Sequence, residues 1–336
     1  MRSTILHVIC HISSRVFLCT ELCRNEEWLA ITKEHTMNGF DAVNRLREGP
    51  SVLRPFVHWF LPGCQKARSH IIEVTNIMKP IVKKRRALKT AAIAEGRNPP
   101  KLNDAIDWFE QAYKGEHCDP SVSQLFPAKL AMHTTSDLLG QALVDLARNP
   151  EMSESLRKEV LGVLRDGGWK KSLLYRMKLL DSVVKESQCH TPDPRESTIF
   201  ATMQRITVDD VTLSDGTFIP KGTSVYVSSY SLFDPNIYKN PKKWDGYRFL
   251  RMREQPGMEN IAQLVSTSLK HLGFGYGKYS CPGRFFAANE IKIALYEWRL
   301  PADAQPIIID YAETPTMNPA LELEIRGRDE EVNLKF

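Results

Sequence analysis

One short stretch, residues 274–287, constrains the fold most, because it is a tight loop that carries a cysteine to the start of a helix. Gly275 and Gly277 permit backbone angles that other residues avoid, so the chain can turn sharply there. Pro282 directly follows Cys281 and is a residue that the first turn of a helix tolerates. A sulfur in this position lies near the free amides and the positive end of the helix, which stabilise a thiolate.

A thiolate held in this way is a good ligand for iron. It pushes electron density towards the metal and favours cleavage of a bound O–O bond. Phe274 is expected to shield the sulfur from water, which strengthens each amide hydrogen bond to it. A dinucleotide-binding loop is a weaker alternative because Ser280 stands where its third glycine would be, and no phosphate-binding Gly-Lys-Ser/Thr sequence exists. A merely buried cysteine, the usual case for an arbitrary Cys, is the remaining alternative.

Apolar residues before position 200 recur mostly at helical spacing. This spacing and the flanking Gly and Pro residues predict helices over Asp104–Tyr113, Ser121–Ala147, Glu151–Leu164 and Ser172–Gln188. Residues 51–64 are rich in Trp and Phe and are interrupted by prolines. They are interpreted either as a buried connector, which is the favoured reading, or as a membrane-facing or substrate-entry loop.

The pattern changes after residue 200. Asp215-Gly216 separates two short alternating runs, which is a strong signal for a β-hairpin. A strand is predicted over Ser224–Val227, a helix from Arg284 to about Tyr296, and short strands in the tail, residues 301–336. The fold class predicted from these elements is mainly α (α+β), with a small sheet.

Composition excludes several classes of protein. The net charge is only +5, from 45 basic and 40 acidic residues, without the concentrated basic stripe of a nucleic-acid-binding protein. The seven cysteines are scattered and include no Cys-x-x-Cys pair, which argues against a zinc site or a disulfide framework and indicates a reducing compartment. The apolar run from residue 5 to 18 is too short and too polar for a transmembrane helix.

The stretch from Phe274 to Gly283 resembles the heme-binding signature of the cytochrome P-450 family: Phe, Gly, any residue, Gly, three residues, Cys, any residue, Gly. The version here is similar to enzymes of filamentous fungi that oxidise terpenoids and other secondary metabolites, and the likeness runs from about residue 12 to residue 301. It implies a P-450-like helical fold with a small β-sheet region, as a single partial domain over residues 1–336. The parts implied are a helical part (1–200), hairpins and loops (201–270), the heme-thiolate loop with its helix (271–300) and C-terminal short strands (301–336).

The resemblance also implies an activity. A chain of this family would be a heme-dependent monooxygenase that inserts one atom of dioxygen into a hydrophobic small molecule. Its cofactor would be heme b, and its electrons would come from NADPH through a cytochrome reductase. The family implies the endoplasmic-reticulum membrane, on the cytosolic face, although the sequence shows no membrane anchor.

Individual positions carry over from the family motifs. Cys281 would bind the iron, within a cofactor-binding loop that includes Phe274, Gly275 and Gly277. His133 and Thr134, in the predicted central helix, resemble the oxygen-activation motif, in which the threonine would hydrogen-bond dioxygen and help to deliver protons. Arg205 resembles the arginine that pairs with a heme propionate. Tyr279 stands where the family usually has Arg or His, and it is expected still to donate a hydrogen bond to a propionate.

The sequence departs from the family pattern in three places. The family places an arginine three residues after Glu186, where this chain has Cys189, while the downstream partner Arg248 is kept. Members of the family carry a membrane anchor and several helices before the region that corresponds to Met1. The helix after Cys281 is also shorter than in the family. These departures predict a truncated chain, and the alternative to a monooxygenase is therefore a non-catalytic remnant that binds heme poorly or not at all.

Overall fold

A computed structural model describes residues 2–113, 119–167, 171–189, 201–295, 308–311 and 314–317. The chain forms two compact units. The N-terminal unit comprises residues 3–136, and the C-terminal unit comprises residues 137–336 together with the first two residues. The predicted end of the last helix at Tyr296 and most of the predicted C-terminal strands lie outside the described residues.

The N-terminal unit is helical throughout its regular structure. Its helices are α1 (Arg2–Leu22), α2 (Glu26–Glu48), α3 (Arg54–Val57), α4 (Pro62–Ala94), α5 (Ala105–Tyr113) and the first part of α6 (Pro120–Arg148). Asn25 caps α2 by accepting a hydrogen bond from the amide of Trp28 at 2.7 Å. The Trp28 indole is buried and donates to the Ser14 hydroxyl at 2.9 Å, which ties α1 to α2.

A buried ion pair holds α4 against the start of α5. Arg85 donates to Asp104 at 2.6 Å and to Glu21 on α1, and the side chains of Arg85 and Asp104 are both buried. Charges removed from water in this way are stable only while they remain paired. The pair is therefore a structural anchor of the N-terminal unit.

The favoured prediction that residues 51–64 form a buried connector is wrong. A 3-10 turn at Ser51–Leu53 and the short helix α3 present their apolar side chains to solvent. Phe56, Trp59 and Phe60 are 67%, 58% and 79% exposed. Composition alone misled here, because an aromatic segment is usually buried, whereas contiguous exposed apolar patches mark interaction surfaces.

The C-terminal unit contains the remaining helices and strands. They are the end of α6, α7 (Met152–Gly167), α8 (Lys171–Arg176), α9 (Lys178–Cys189), α10 (Arg248–Arg253), α11 (Arg284–Ala294), β1 (Ala201–Ile206), β2 (Val211–Thr212), β3 (Phe218–Ile219), β4 (Ser224–Ser228), β5 (Ile308–Tyr311) and β6 (Thr314–Met317). Helices dominate and the strands pair only two by two, so the predicted mainly α class is confirmed.

The helix predicted over Ser172–Gln188 is divided into two helices, α8 and α9. The Glu159 carboxylate of α7 accepts hydrogen bonds from the amides of Leu179 and Leu180, at 2.7 and 2.9 Å. A carboxylate on the first free amides of a helix stabilises that end. The capping group is distant in sequence, so local periodicity could not show the break.

The predicted hairpin is confirmed. β2 and β3 pair in antiparallel register, with Val211 opposite Ile219, and Gly216 in the turn has φ +88°. A positive φ is the conformation for which glycine is selected in such turns. β1 pairs with β4 next to it, which places Arg205 opposite Val225.

Asp145, on the part of α6 within the C-terminal unit, is expected to make the stability of the folded chain depend on pH. Burial raises the pKa of this carboxyl to about 7, against hydrogen bonds from Ser187 and Gln141 that lower it. The folded chain thus keeps a proton that the unfolded chain releases near its ordinary pKa of 3.8, and stability falls as the pH rises towards 7. We expect Asp145→Asn to remove this fall, so the variant gains stability over wild type between pH 5 and pH 8 in urea unfolding.

The exposed Asp209 offers a matched control for that experiment, since its side chain is 84% exposed. Asp209→Asn is expected to leave the pH profile of the unfolding free energy unchanged. A wild-type profile that is flat from pH 5 to 8, or one that Asp145→Asn leaves as it was, would show that Asp145 is ionised throughout.

Candidate heme-thiolate site

The loop before α11 turns at the two glycines that the sequence singled out. Gly275 and Gly277 have φ values of +69° and +72°, and a 3-10 turn spans Gly277–Tyr279. The Cys281 amide donates to the Phe274 carbonyl at 2.8 Å and closes the loop on itself. Other L-residues rarely adopt these angles, so both glycines are needed for the path to Cys281.

The Cys281 sulfur lies at the N-terminus of α11. Gly283 is the N-cap residue, and a Cβ added to it would stand 3.9 Å from the sulfur. The first helical hydrogen bond runs from the Ala287 amide to the Gly283 carbonyl, and Cys281 itself is half-buried. Helix amides and the helix dipole favour negative charge at this end, so the donor chemistry fits a thiolate ligand to a heme iron.

Arg284 stabilises this loop, a role that the sequence motifs did not indicate. Its guanidinium donates to the Cys281 carbonyl at 2.8 Å and to the Val265 carbonyl at 3.0 Å. Two bonds from one rigid fork fix the turn between the cysteine and α11. The only sequence signal was an arginine at the first position of a helix, where a positive charge is disfavoured by the dipole.

The two candidate propionate contacts lie together. The Arg205 guanidinium on β1 lies 5.3 Å from the ring centroid of Tyr279 and donates to the Gln204 carbonyl at 2.7 Å. The Tyr279 side chain is 69% exposed. A planar guanidinium over an aromatic face is a stable arrangement that leaves further donors free to bind an anion.

The two candidate catalytic residues lie in the N-terminal unit. The His133 ring packs against Phe40 of α2, with ring centroids 4.6 Å apart. Thr134 is exposed and donates to the Leu130 carbonyl at 3.3 Å, whereas Thr135 is buried. A threonine hydroxyl that bonds back to its own helix keeps its lone pairs available to accept a further hydrogen bond.

Glu186 and Arg248 form a buried ion pair in spite of Cys189. Arg248 donates to the two Glu186 carboxylate oxygens at 2.8 and 3.1 Å, and three backbone carbonyls accept its remaining hydrogen bonds. Glu186 also accepts from the Asp245 amide at 3.0 Å. Cys189 is buried in the apolar cluster beside them, and burial raises the pKa of its thiol. A neutral thiol therefore occupies the arginine position, and the remaining pair is satisfied.

Comparison with known proteins settles the family. The model of the cytochrome P-450 family matches residues 4–298. The chain belongs to the cytochrome P-450 family. Members of this family bind heme through a cysteine thiolate. None of the described helices is long and apolar enough to cross a bilayer.

Fungal members of the P-450 family resemble the chain in sequence. It is 51% identical over 292 residues to the cytochrome P-450 monooxygenase hepE of Aspergillus oryzae, covering 86% of this chain and 52% of that protein. It is 48% identical over 334 residues to cytochrome P-450 monooxygenase 2 of Gibberella fujikuroi, covering 96% of this chain and 68% of that protein. The chain thus spans about half to two thirds of the length of these relatives.

A solved P-450 structure has the same fold. Cyanobacterial CYP120A1 with bound retinoic acid aligns with a TM-score of 0.66 at 17% identity, covering 97% of this chain and 69% of that one. At this identity the likeness shows the fold alone. It confirms the P-450-like helical architecture that the Cys281 loop implied.

Proposed function

We propose that this chain is a heme-dependent monooxygenase that inserts one oxygen atom from dioxygen into a hydrophobic small molecule. The single observation that carries the proposal is the Cys281 sulfur at the N-terminus of α11, on a loop whose two glycines have positive φ. Membership of the P-450 family supports it independently. The heme, when bound, supplies the oxidising chemistry, and the protein sets its ligand and surroundings.

Each candidate residue has a definite task in this proposal. Cys281 would hold the iron through its sulfur, at a helix end whose free amides and dipole favour a negatively charged ligand. Arg205 and Tyr279 would bind a propionate by charge-assisted hydrogen bonds. Thr134 would accept and donate hydrogen bonds through its hydroxyl and so help to deliver protons to dioxygen, and His133, held against Phe40, would assist it.

The substrate class and the electron donor belong to the same proposal. We assign a hydrophobic secondary metabolite, such as a terpenoid, as substrate and NADPH as the electron source through a cytochrome reductase. The fungal monooxygenases that the chain resembles support this assignment. It rests on likeness between relatives, so the direct test is turnover.

Turnover under isotopically labelled dioxygen tests the function. The heme-loaded chain, a fungal reductase and NADPH would be incubated with a panel of apolar terpenoids under oxygen-18 gas. The proposal predicts a product that is heavier by one labelled oxygen atom, detected by mass spectrometry. NADPH-dependent products that carry no label, or heme-loaded protein without any product across the panel, would contradict it.

The role of Thr134 gives a separate prediction. Thr134→Ala is expected to lower the amount of product formed per NADPH consumed by about tenfold, since a positioned acid–base group contributes roughly 10²–10⁴-fold and water replaces part of this. The buried neighbour provides a matched control, because Thr135→Ala removes the same atoms without touching the exposed hydroxyl. Equal coupling ratios in the two variants would remove Thr134 from the mechanism.

The exposed aromatic segment supports a location on a membrane surface. We name as the apolar patch the side chains that are more than half exposed around α3: Val52, Leu53, Phe56, Trp59 and Phe60. Arg54 and Arg68 lie beside it, and their guanidinium groups donate to the backbone carbonyls of Arg47, at the end of α2, and of His58. Apolar groups flanked by cations suit the boundary between lipid tails and anionic headgroups. We propose the cytosolic face of the endoplasmic reticulum as that surface.

Vesicle binding tests the apolar patch. The double variant Phe56→Ser with Phe60→Ser is expected to bind vesicles of phosphatidylcholine and phosphatidylserine at least about tenfold more weakly, because burying one Phe is worth roughly 1.5–3 kcal/mol. Phe126 is 64% exposed on α6 and lies outside the patch, so Phe126→Ser is the matched control. Vesicle cosedimentation that responds equally to both changes would refute the assignment of the patch.

A further inference from the structure

One buried carboxylate joins three helices of the C-terminal unit. Asp181 on α9 accepts a hydrogen bond from Lys292 on α11 through one oxygen and from Arg253 on α10, at 3.3 Å, through the other. The exposed fractions of Asp181, Lys292 and Arg253 are 5%, 6% and 8%. Lys292 also donates to the Leu174 carbonyl at 3.0 Å. Two cations therefore share one carboxylate away from water, so loss of the carboxylate leaves both uncompensated.

Two residues on one face of α9 also hold residues 261–264, the segment that precedes the cysteine loop. The Leu264 amide donates to Asp181 at 2.8 Å. Lys185, one turn further along α9, donates to the carbonyls of Ile261 and Gln263, at 3.1 and 2.7 Å. Hydrogen bonds of a buried charged group to backbone atoms fix the path of a segment that has no regular structure of its own.

This segment connects directly to Cys281. Val265 follows Leu264, and its carbonyl accepts the hydrogen bond from Arg284, which also binds the Cys281 carbonyl. Asp181 thus reaches the cysteine loop by two routes. One passes through Leu264, Val265 and Arg284, and the other passes through Lys292 along the helix that Arg284 begins.

We propose that Asp181 is a positioning residue for Cys281. It fixes the sulfur at the start of α11 by holding both the segment before the loop and the helix after it. Asp181 is far from the loop in sequence and has no place in the heme-binding signature. The inference deepens the proposed function and rests on it, since the sulfur must be placed accurately to bind iron.

Peptide-resolved alkylation of the full chain without added heme tests this positioning. Cys281 and Cys64 are both half-buried, and Cys64 lies in the N-terminal unit, so its labelling rate is an internal reference. Each variant would be labelled with iodoacetamide at the same interval below its own melting temperature. In Asp181→Asn, we expect the rate ratio of Cys281 to Cys64 to rise about tenfold over wild type, because the loop opens locally.

Matched variants separate positioning from general stability. Asp104→Asn also removes a buried carboxylate from an arginine partner, in the N-terminal unit, and is expected to leave the ratio unchanged. If Asp181→Asn does not fold, Asp181→Glu keeps the charge on a longer side chain and is expected to raise the ratio by a smaller factor. A ratio in the folded Asp181 variant that matches wild type or Asp104→Asn overturns the proposal.

A heme-dependent readout completes the test. In the heme-loaded, reduced protein under carbon monoxide, Asp181→Asn is expected to shift part of the Soret absorption from the red-shifted thiolate position to the ordinary one. Wild-type protein that binds no heme would refute the proposed function, while the alkylation ratio still decides the role of Asp181. An unchanged spectrum together with an unchanged alkylation ratio would refute the positioning role of Asp181 and leave the proposed function standing.

Discussion

Replacement of Cys281 by alanine is expected to abolish stoichiometric heme binding. The Cys281 sulfur lies at the N-terminus of α11, after the loop formed by Gly275 and Gly277. Alanine at this position leaves the loop intact and removes the iron ligand. Among the described residues, no group of three or more His, Cys, Asp or Glu side chains could hold a metal ion in its place. Heme content after gel filtration, measured as the pyridine complex, is expected to fall at least about tenfold.

A second half-buried cysteine supplies the control for that result. Cys64→Ala removes an equivalent thiol from α4 and is expected to retain a full complement of heme. Retention of heme by Cys281→Ala at the wild-type level and with the same absorption bands would show that another group binds the iron.

The second large effect is expected at the Glu186–Arg248 pair. Arg248→Met would leave Glu186 buried without its cation, and burial already raises the pKa of this carboxyl against the opposing effect of Arg248. Removing one member of a buried pair costs about 3–5 kcal/mol, and three backbone carbonyls would lose their donor as well. The unfolding free energy in urea is expected to fall by about this amount.

Two companion variants sharpen the measurement on Arg248. Arg251 is 55% exposed and pairs with Asp245 on the surface, so Arg251→Met is expected to cost only about 0–1 kcal/mol. The double variant Glu186→Gln with Arg248→Met removes both charges and is expected to recover part of the loss. If Arg248→Met lowers the unfolding free energy as little as Arg251→Met does, the Glu186–Arg248 pair contributes little in a chain that has Cys189 at the arginine position.

Local signals in the sequence were sufficient for the features that depend on a few neighbouring residues. Gly275 and Gly277 predicted the sharp loop at Cys281, and Asp215-Gly216 predicted the hairpin, because positive φ is a property of single residues. The long central helix was predicted over Ser121–Ala147 and spans Pro120–Arg148, since many periodic apolar positions reinforce one another.

Features that depend on distant residues could not be predicted in this way. The break between α8 and α9 is stabilised by Glu159, about 20 residues earlier in the chain. The Asp181 cluster joins residues separated by 72 and 111 positions, and Asp and Lys at those positions have no local signature. The exposure of Phe56 and Phe60 likewise depends on what the folded chain places around them.

Binding of heme iron by the Cys281 thiolate is expected to show in a single absorption spectrum. The heme-reconstituted wild-type chain would be reduced and treated with carbon monoxide. A strongly red-shifted Soret band is the predicted result, because it requires a thiolate opposite carbon monoxide. A band at the ordinary, histidine-like position, or the absence of bound heme, would show that Cys281 does not bind heme iron as a thiolate.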